Sequence, residues 1–358
     1  MVNEDERIFL VPSFTTALQA DDTSAPFKTT TIDRRDLRPD DVRIDIKFAG
    51  ICHSDIHNVR GEWGTTKFPI VPGHEITGLV SEVGSDVSDH QVGDPVGVGC
   101  FVDSCGECEA CKDGEEQFCT QGVVQTYASK DYHGEITYGG YSTSIVVKDH
   151  FVVRIPDAMD LAAATPLLCA GITTYAPLKR WGAGPGKKVA VVGMGGLGHV
   201  AVKIAAALGA EVSVLSRTDA KKADGKEFGA THYHATQDGA VFTELAGAFD
   251  LIINTVGADL ELDDYFGLLG RGGVMVNVGA PGQPQKFNMF SLLANRRVYA
   301  GSMVGGLLET QEMLDFCAEH DIAATIETID ADQVDEYYDR VVDGHVRYRA
   351  VIDAATIG

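Results

Sequence analysis

The sequence predicts a protein of the α/β-plus-β class built as two bodies. A compact all-β part runs to about residue 160, and a doubly wound parallel sheet with helices on both faces follows. Three observations carry this. Short β-type runs broken by Gly, Pro and Asp fill the first part. From Lys187 onward, apolar strands alternate with helical stretches. The chain is 358 residues long, which at roughly 150 residues per domain is enough for two.

In chain order, strands are expected at Val42–Phe48, Ile76–Val83, Asp94–Val98 and Tyr141–Val147. The character changes after Pro166. Strand Lys188–Val192 leads to a helix from about Leu197 to Leu208, then to strand Glu211–Ser216. A helix near Asp219–Phe228 follows, then strands Leu251–Thr255 and Val274–Val278 with a helix between them. These strands are apolar throughout, as a parallel sheet covered on both faces requires. After about residue 300 comes a tail with one amphipathic helix, Glu309–His320, and a last strand, Tyr348–Asp353. No flexible linker separates the bodies, so a cleft between them is expected.

Composition narrows the function. With 44% hydrophobic residues the chain is neither disordered nor collagenous, and it needs no disulfide framework at this length. Its 29 Lys+Arg against 52 Asp+Glu give a formal charge of −23. Such a surface repels phosphate backbones and anionic lipid, which argues against nucleic-acid and membrane-surface partners; it is compatible with a salt-rich habitat. The longest uncharged stretch, Leu161–Leu178, contains Pro166, Pro177, Gly171 and three threonines, which fits buried globular structure better than a membrane span. The segment Met1–Glu6 is acidic and reads as no secretory signal. A cytoplasmic location follows, where thiols stay free or bind metal.

Strand Val189–Val192 runs into Gly193-Met194-Gly195-Gly196-Leu197-Gly198 and then into a helix. G-x-G-x-x-G between strand and helix is the context of a dinucleotide-binding fingerprint. Gly193 permits the tight turn, Gly195 lets the backbone approach a pyrophosphate, and Gly198 lets the helix pack on the strand. The bare alternative is a glycine turn with no ligand. The second strand ends at Ser216-Arg217-Thr218, with Lys221 nearby, where an NAD site usually places a carboxylate. Hydroxyls and cations there suit a 2′-phosphate and point to NADP(H). The alternative is that Arg217 and Lys221 are solvated surface charges. Asp219 is expected to cap the next helix.

Cys105, Cys108, Cys111 and Cys119 follow a C-x2-C-x2-C-x7-C spacing. Four thiolates within fifteen residues can close a tetrahedron around one zinc ion, and a closed site of this kind is structural. The spacing matches neither ferredoxin pattern. Disulfides are disfavoured by compartment, and a nucleic-acid-binding zinc ribbon by the acidic lobe. Four other cysteines remain: Cys52, Cys100, Cys169 and Cys317. Taken alone, Cys52, Cys169 and His74 read more readily as buried thiols and a core histidine than as a metal site, because they lie far apart in sequence.

In combination, however, Gly50-Ile51-Cys52-His53-Ser54-Asp55-Ile56-His57, Val71-Pro72-Gly73-His74-Glu75, the four-cysteine lobe, Pro166-Leu167-Leu168-Cys169-Ala170-Gly171 and the glycine turn resemble the zinc-dependent medium-chain alcohol dehydrogenases. Gly301-Ser302-Met303 and Val346-Arg347-Tyr348-Arg349 look closest to the cinnamyl alcohol dehydrogenase branch and its bacterial NADP-dependent aldehyde-reductase relatives. The resemblance implies a GroES-like β-rich catalytic domain over 1–165 with a structural-zinc lobe at 100–120. It implies a Rossmann nucleotide-binding domain over 166–303 and a return to the catalytic domain over 304–358. Cys52, His74 and Cys169 match the catalytic zinc ligands, with one position open. Glu75 matches a carboxylate that transiently coordinates the metal, and Asp55 the acceptor that orients the His74 ring. Ser54 and His57 match a proton relay through the cofactor ribose, and His53 lies near the cofactor phosphates. Family cofactor contacts carry over to Gly193–Gly198, Ser216–Lys221, Thr255, Gly279, Ser302, Met303 and Val304. Two zinc ions per chain, NADP(H), a small alcohol or aldehyde and a homodimer along the cofactor-domain sheet edge are implied.

Trp63 matches a pocket-facing position. Val124 stands where cinnamyl members often carry a Trp, which puts strict phenylpropenyl preference in doubt and favours aromatic or medium-chain aldehydes more broadly. Cys100 and Cys317 match no ligand position and read as ordinary buried thiols. His232 and His234 are expected in a solvated polar loop, and Lys187, Lys188, Arg296 and Arg297 as surface charges. The competing readings are a zinc-free quinone or enone reductase of the same superfamily and a cofactor-binding protein without catalysis. Both lack a use for the Cys52, His74 and Cys169 set beside Ser54 and His57.

Overall fold

Where buried apolar residues alternate along an extended run, a strand forms with one face to the core, and the described residues, 14–64 and 66–358 of a computed structural model, follow that rule closely. The acidic Met1–Glu6 segment lies outside them. A hairpin of β1 (Phe14–Gln19) and β2 (Lys28–Asp33) comes first. The first body continues with β3 (Asp41–Ile51), α1 (His53–Val59), β4 (Ile76–Val83), β5 (Pro95–Val98) and β6 (Phe101–Asp103). It then adds α2 (Glu109–Lys112), β7 (Val124–Gln125), β8 (Ser144–Lys148) and β9 (Val153–Arg154).

Helices α3 (Leu161–Ala164) and α4 (Ala170–Arg180) lead to the second body. There β10 (Lys188–Val192), α5 (Gly198–Ala207), β11 (Glu211–Ser216), α6 (Lys222–Glu227), β12 (His232–Ala235) and α7 (Ala240–Glu244) follow. Next come β13 (Phe249–Asn254), α8 (Leu262–Gly267), β14 (Leu269–Asn277), α9 (Phe290–Leu293) and β15 (Val298–Gly301). The chain closes with α10 (Leu307–Glu319), β16 (Ile326–Ile329), α11 (Val334–Val342) and β17 (Arg349–Asp353).

Strands β12-β11-β10-β13-β14-β15 form a six-stranded sheet with every pairing parallel. Both faces are covered. Along β10, Val189 and Val191 join one apolar cluster while Ala190 and Val192 join another. The chain order reverses between β10 and β13, and in such sheets ligands bind outside the carboxyl ends of the strands at that reversal. The first body holds a sheet of order β16-β17-β3-β4-β5-β9, with β8 also on β3. Its membership matters for function: β17 pairs antiparallel with β3, Ala350 opposite Ile51, so the end of the chain is brought beside Cys52.

Several expectations need correction. His232 and His234 lie in the edge strand β12, not a loop, with Tyr233 between them buried against the sheet. Thr218, not Asp219, caps the turn before α6, its hydroxyl accepting from Ala220 N. Arg297 is no free surface charge, since its guanidinium donates to the carbonyls of Leu269, Ser291 and Gly267. The tail holds two helices and two strands instead of one of each. The apolar stretch from Leu161 breaks into short pieces whose axes bend by 57°, and no single helix among the described residues is long and apolar enough to cross a membrane.

Candidate functional site

Cys52 follows the last residue of β3 and sits at the N-cap of α1 in extended conformation. This geometry is held by Asp55, which is completely buried. Its carboxylate accepts from Cys52 N at 3.0 Å, from Gly73 N at 3.1 Å and from His74 Nδ1 at 3.0 Å. One side chain therefore ties the two segments together and leaves His74 Nε2 free to face inward. Gly73 makes the close approach possible: its φ is +105°, and a Cβ there would meet the Tyr141 ring at 2.6 Å. Cys169 arrives from the far side, at the N-cap of α4.

These segments meet. Donor atoms of Cys52, His74, Glu75 and Cys169 lie within 4.8 Å of one another, all four buried. Two thiols, one imidazole and a carboxylate, with neither thiol in a disulfide, suit a zinc ion with protein ligands on three sides. The Cys52 thiol is held well below its ordinary range, first by a hydrogen bond from Cys169 and then by His74 and Arg349, so it favours the thiolate that a metal requires. Burial pushes the Glu75 carboxyl up to about 7 against the pull of Arg349. Arg349, itself buried, donates through Nη2 to Glu75 at 2.5 and 2.6 Å and to Ile51 O at 3.0 Å.

The second cluster is local. Cys105, Cys108, Cys111 and Cys119 also bring their sulfurs within 4.8 Å of one another. The lobe carrying them is tied down by Glu116, whose carboxylate accepts from Leu307 N at 3.0 Å at the start of α10. It is closed by protein on all four corners, which fits a structural ion.

Around the first cluster, α1 places Ser54 and His57 one turn apart. The Cys52 thiol approaches Ser54 Oγ at 3.7 Å, and the Ser54 carbonyl accepts from Asn58 Nδ2 at 2.9 Å. His57 Nδ1 is hydrogen-bonded to Glu62 Oε2 at 2.5 Å, and its ring stacks on Trp63 with centroids 4.9 Å apart. His53 sits 6.1 Å from the His57 ring. Val124 is buried in β7 within the core of the first body. Cys317 is an ordinary buried thiol, its Sγ donating to Met313 Sδ. Cys100 is half-buried instead. Glu62 is thus a site neighbour that the sequence reading gave no role, and Arg349, read there only as part of a branch signature, is a partner of Glu75.

The cofactor candidates gather at the carboxyl ends of the parallel strands. Gly193 turns with φ +91°, and its N–H donates to Leu215 O. A Cβ on Gly198 would stand 2.1 Å from Gly193 O, so only glycine lets α5 pack this closely. Gly195 faces open space. Met194 is buried, Gly196 lies against Arg349, and Leu197 precedes α5. Thr255 follows β13 and donates through Oγ1 to Val192 O at 2.8 Å. Gly279 and Ser302 donate from their backbones to Asn254 O and Asn277 O, just past β14 and β15. Met303 is exposed, and Val304 packs against the cores of both bodies. Ser216, Arg217 and Thr218 lie at the end of β11, and Lys221 Nζ donates to Met194 O at 2.8 Å.

Residues 38–157 match the model of the alcohol dehydrogenase GroES-like domain, and residues 196–319 that of the zinc-binding dehydrogenases. The chain belongs to the zinc-dependent medium-chain alcohol dehydrogenases. It is 61% identical to the "Probable formaldehyde dehydrogenase" of Bacillus subtilis, over 96% of this chain and 98% of that one. It is 57% identical to the NADP-dependent alcohol dehydrogenase C 1 of Mycolicibacterium smegmatis, over 96% and 99%. The crystal structure of the CAD of Helicobacter pylori complexed with NADP(H) superposes with a TM-score of 0.90 at 41% identity, covering 96% of this chain and 99% of that one. This dehydrogenase therefore carries both family bodies, with both candidate metal clusters among its described residues.

Proposed function

We propose that this protein interconverts aldehydes and primary alcohols by hydride transfer with NADP(H), acting on aromatic or medium-chain aldehydes. The observation that carries the reading is the meeting of Cys52, His74 and Cys169, drawn from three distant segments, within one buried cluster. Cys52, His74 and Cys169, with Glu75 beside them, would hold a zinc ion, whose chemistry would be that of a Lewis acid for the substrate oxygen. The glycine-turn crevice would hold NADPH, whose chemistry would be hydride donation.

The chain's own residues do the rest. Asp55 fixes the His74 ring so that Nε2 faces the cluster. Arg349 pairs with Glu75 and keeps its carboxylate at hand beside the ligands. Ser54 and His57 would pass the alcohol proton outward from the cluster, and Glu62, bonded to His57 Nδ1, would accept it at the surface. Trp63, stacked on His57, walls the substrate entrance. Val124 leaves more room there than a Trp. His53 stands by the cofactor phosphates. Cys105, Cys108, Cys111 and Cys119 hold a second, structural zinc ion.

NADP(H) is favoured by the absence of a carboxylate in Ser216-Arg217-Thr218 at the end of β11, with Lys221 beside them. The names of the M. smegmatis relative and of the H. pylori complex support the same choice. The division into 1–165, 166–303 and 304–358 remains our reading of the domains. A homodimer is supported by β15, which is the edge of the parallel sheet and carries apolar surface. A cytoplasmic location fits the eight free cysteines.

The deciding experiment is a spectrophotometric panel of aldehydes with both cofactors. Reduction with kcat/KM higher for NADPH than for NADH is expected. Equal or better use of NADH would overturn the cofactor choice, and no turnover of any aldehyde would overturn the activity.

A further inference from the structure

The run Val346-Arg347-Tyr348-Arg349 lies where the C-terminal segment passes between the two bodies. Tyr348 is buried, and its ring stacks on His199 of α5 with centroids 4.9 Å apart and planes 16° apart. Its hydroxyl donates to Asp224 of α6. Two cations flank the same ring. Lys221 Nζ stands 5.1 Å from its centroid and Arg347 Cζ 5.7 Å. Because Lys221 also donates to Met194 O in the glycine turn, the ring places both cations by the end of β11, where Ser216 and Arg217 stand.

The three cations feel one another. After burial itself, the guanidinium of Arg347 and then that of Arg217 hold the Lys221 ammonium below its usual range, Asp224 opposing them. Asp224 is the carboxylate at hand, and its Oδ2 lies 3.9 Å from Arg347 Nε, at the outer limit of an ion pair. The Arg347 backbone is fixed, its N–H donating to Glu327 Oε1 at 2.7 Å. The side chain keeps 45% of its surface exposed. In a chain of net charge −23, Lys221 and Arg347 share one ring, Arg217 follows the end of β11, and the Asp224 carboxylate facing the Arg347 side chain stands at the outer limit of an ion pair, an arrangement suited to a doubly charged anion.

We propose that Arg347 is a specificity-determining residue that closes with Arg217 and Lys221 on the 2′-phosphate of NADP(H), and that Asp224 is its internal counter-ion until the phosphate arrives. This rests on the NADP(H) reading above and adds to it a residue from the opposite end of the chain. A guanidinium fork matches phosphate oxygens in pairs, and charge-assisted bonds of this kind are the strong ones. NADH offers only a hydroxyl at that place, so Arg347 gains little from it. Tyr348 serves as the platform: its stack on His199 and its bond to Asp224 keep both partners of the exchange in register.

The test is direct binding of NADPH and of NADH to the full-length protein, read by nicotinamide fluorescence. Arg347→Ala is expected to weaken NADPH about tenfold or more while leaving NADH within about twofold. Arg347→Lys, which keeps charge but loses the fork, should recover part of the loss. Asp224→Asn should tighten NADPH severalfold and leave NADH alone. Equal losses for both cofactors in Arg347→Ala, or none, would overturn the role of Arg347. Unchanged or weaker NADPH binding in Asp224→Asn would overturn the counter-ion role. A wild-type protein that binds NADH as tightly as NADPH is a separate outcome: it would remove the NADP(H) reading itself, whatever the variants do.

Discussion

Asp55 shows how much one side chain can decide. Buried and bonded to Cys52 N, Gly73 N and His74 Nδ1, it joins two of the three ligand segments. Second-sphere acceptors of this kind fix which ring nitrogen is free. The ligands themselves should then be separable from the structural lobe. Cys52→Ala or His74→Ala is expected to abolish aldehyde reduction and lower zinc from about two ions per chain to about one, with the fold kept. Cys108→Ser should lose the other ion and lower Tm, because the lobe's Glu116 anchors the first turn of α10. Metal analysis alongside thermal melts checks both, and a single ion in the wild type would sink the two-site reading. The four lobe cysteines were legible from their spacing alone, whereas Cys52, His74 and Cys169, far apart in the chain, were legible only through the resemblance of their motifs in combination. The contacts of Glu62 and Arg349 were not. Glu62 reaches His57 only because the chain turns back on α1, and Arg349 reaches Glu75 only through the pairing of β17 with β3.

At the level of elements, periodicity located what is apolar and overlooked what is half-polar. β3, β4, β5, β10, β11, β13 and β14 present runs that only a sheet can bury, and their ends fall within a few residues of expectation. The hairpin β1–β2 is threonine-rich, β12 buries one residue of four, and β15 leaves Val298 exposed, so none gives a clear period. Their strand character comes from neighbours offering hydrogen bonds, which a single sequence does not display. Contacts between elements are equally hidden, and His199 is the sharpest case. On α5, completely buried, it accepts from Thr325 N at 3.1 Å and so joins the glycine-turn helix to the segment entering β16. Burial lowers its pKa from 6.5 to about 3, with Lys203 and Arg349 adding to the effect. The unfolded chain therefore takes up a proton that the folded one refuses. The stability it contributes is complete above pH 6.5 and is lost as pH falls from 6.5 toward 3. Melting curves across that range should fall more steeply for the wild type than for His199→Gln. Parallel slopes would mean that the ring is protonated in the folded protein after all.

For the whole molecule, two properties pull against each other. The charge of −23 per chain disfavours bringing two copies together. Yet the parallel sheet ends at β15, whose outer backbone groups have no strand beside them among the described residues. In α9, which precedes β15 in the chain, Phe290 and Leu293 are 75% and 62% exposed, with Met289 before them also exposed. An unpaired edge and exposed apolar surface are what a closed protein covers. A two-fold axis through β15 would cover both at once, pairing the edge with its own copy and packing α9 against its mate. That is the dimer proposed above. Phe290→Asp with Leu293→Asp should shift the protein to monomers in light scattering, with little change in Tm of the separated chain. Because like charges oppose the association and salt screens them within about 10 Å at 0.1 M, the dimer should tighten as ionic strength rises. A wild-type protein that is monomeric at micromolar concentration in high salt, or variants that remain dimeric, would move the interface away from this edge.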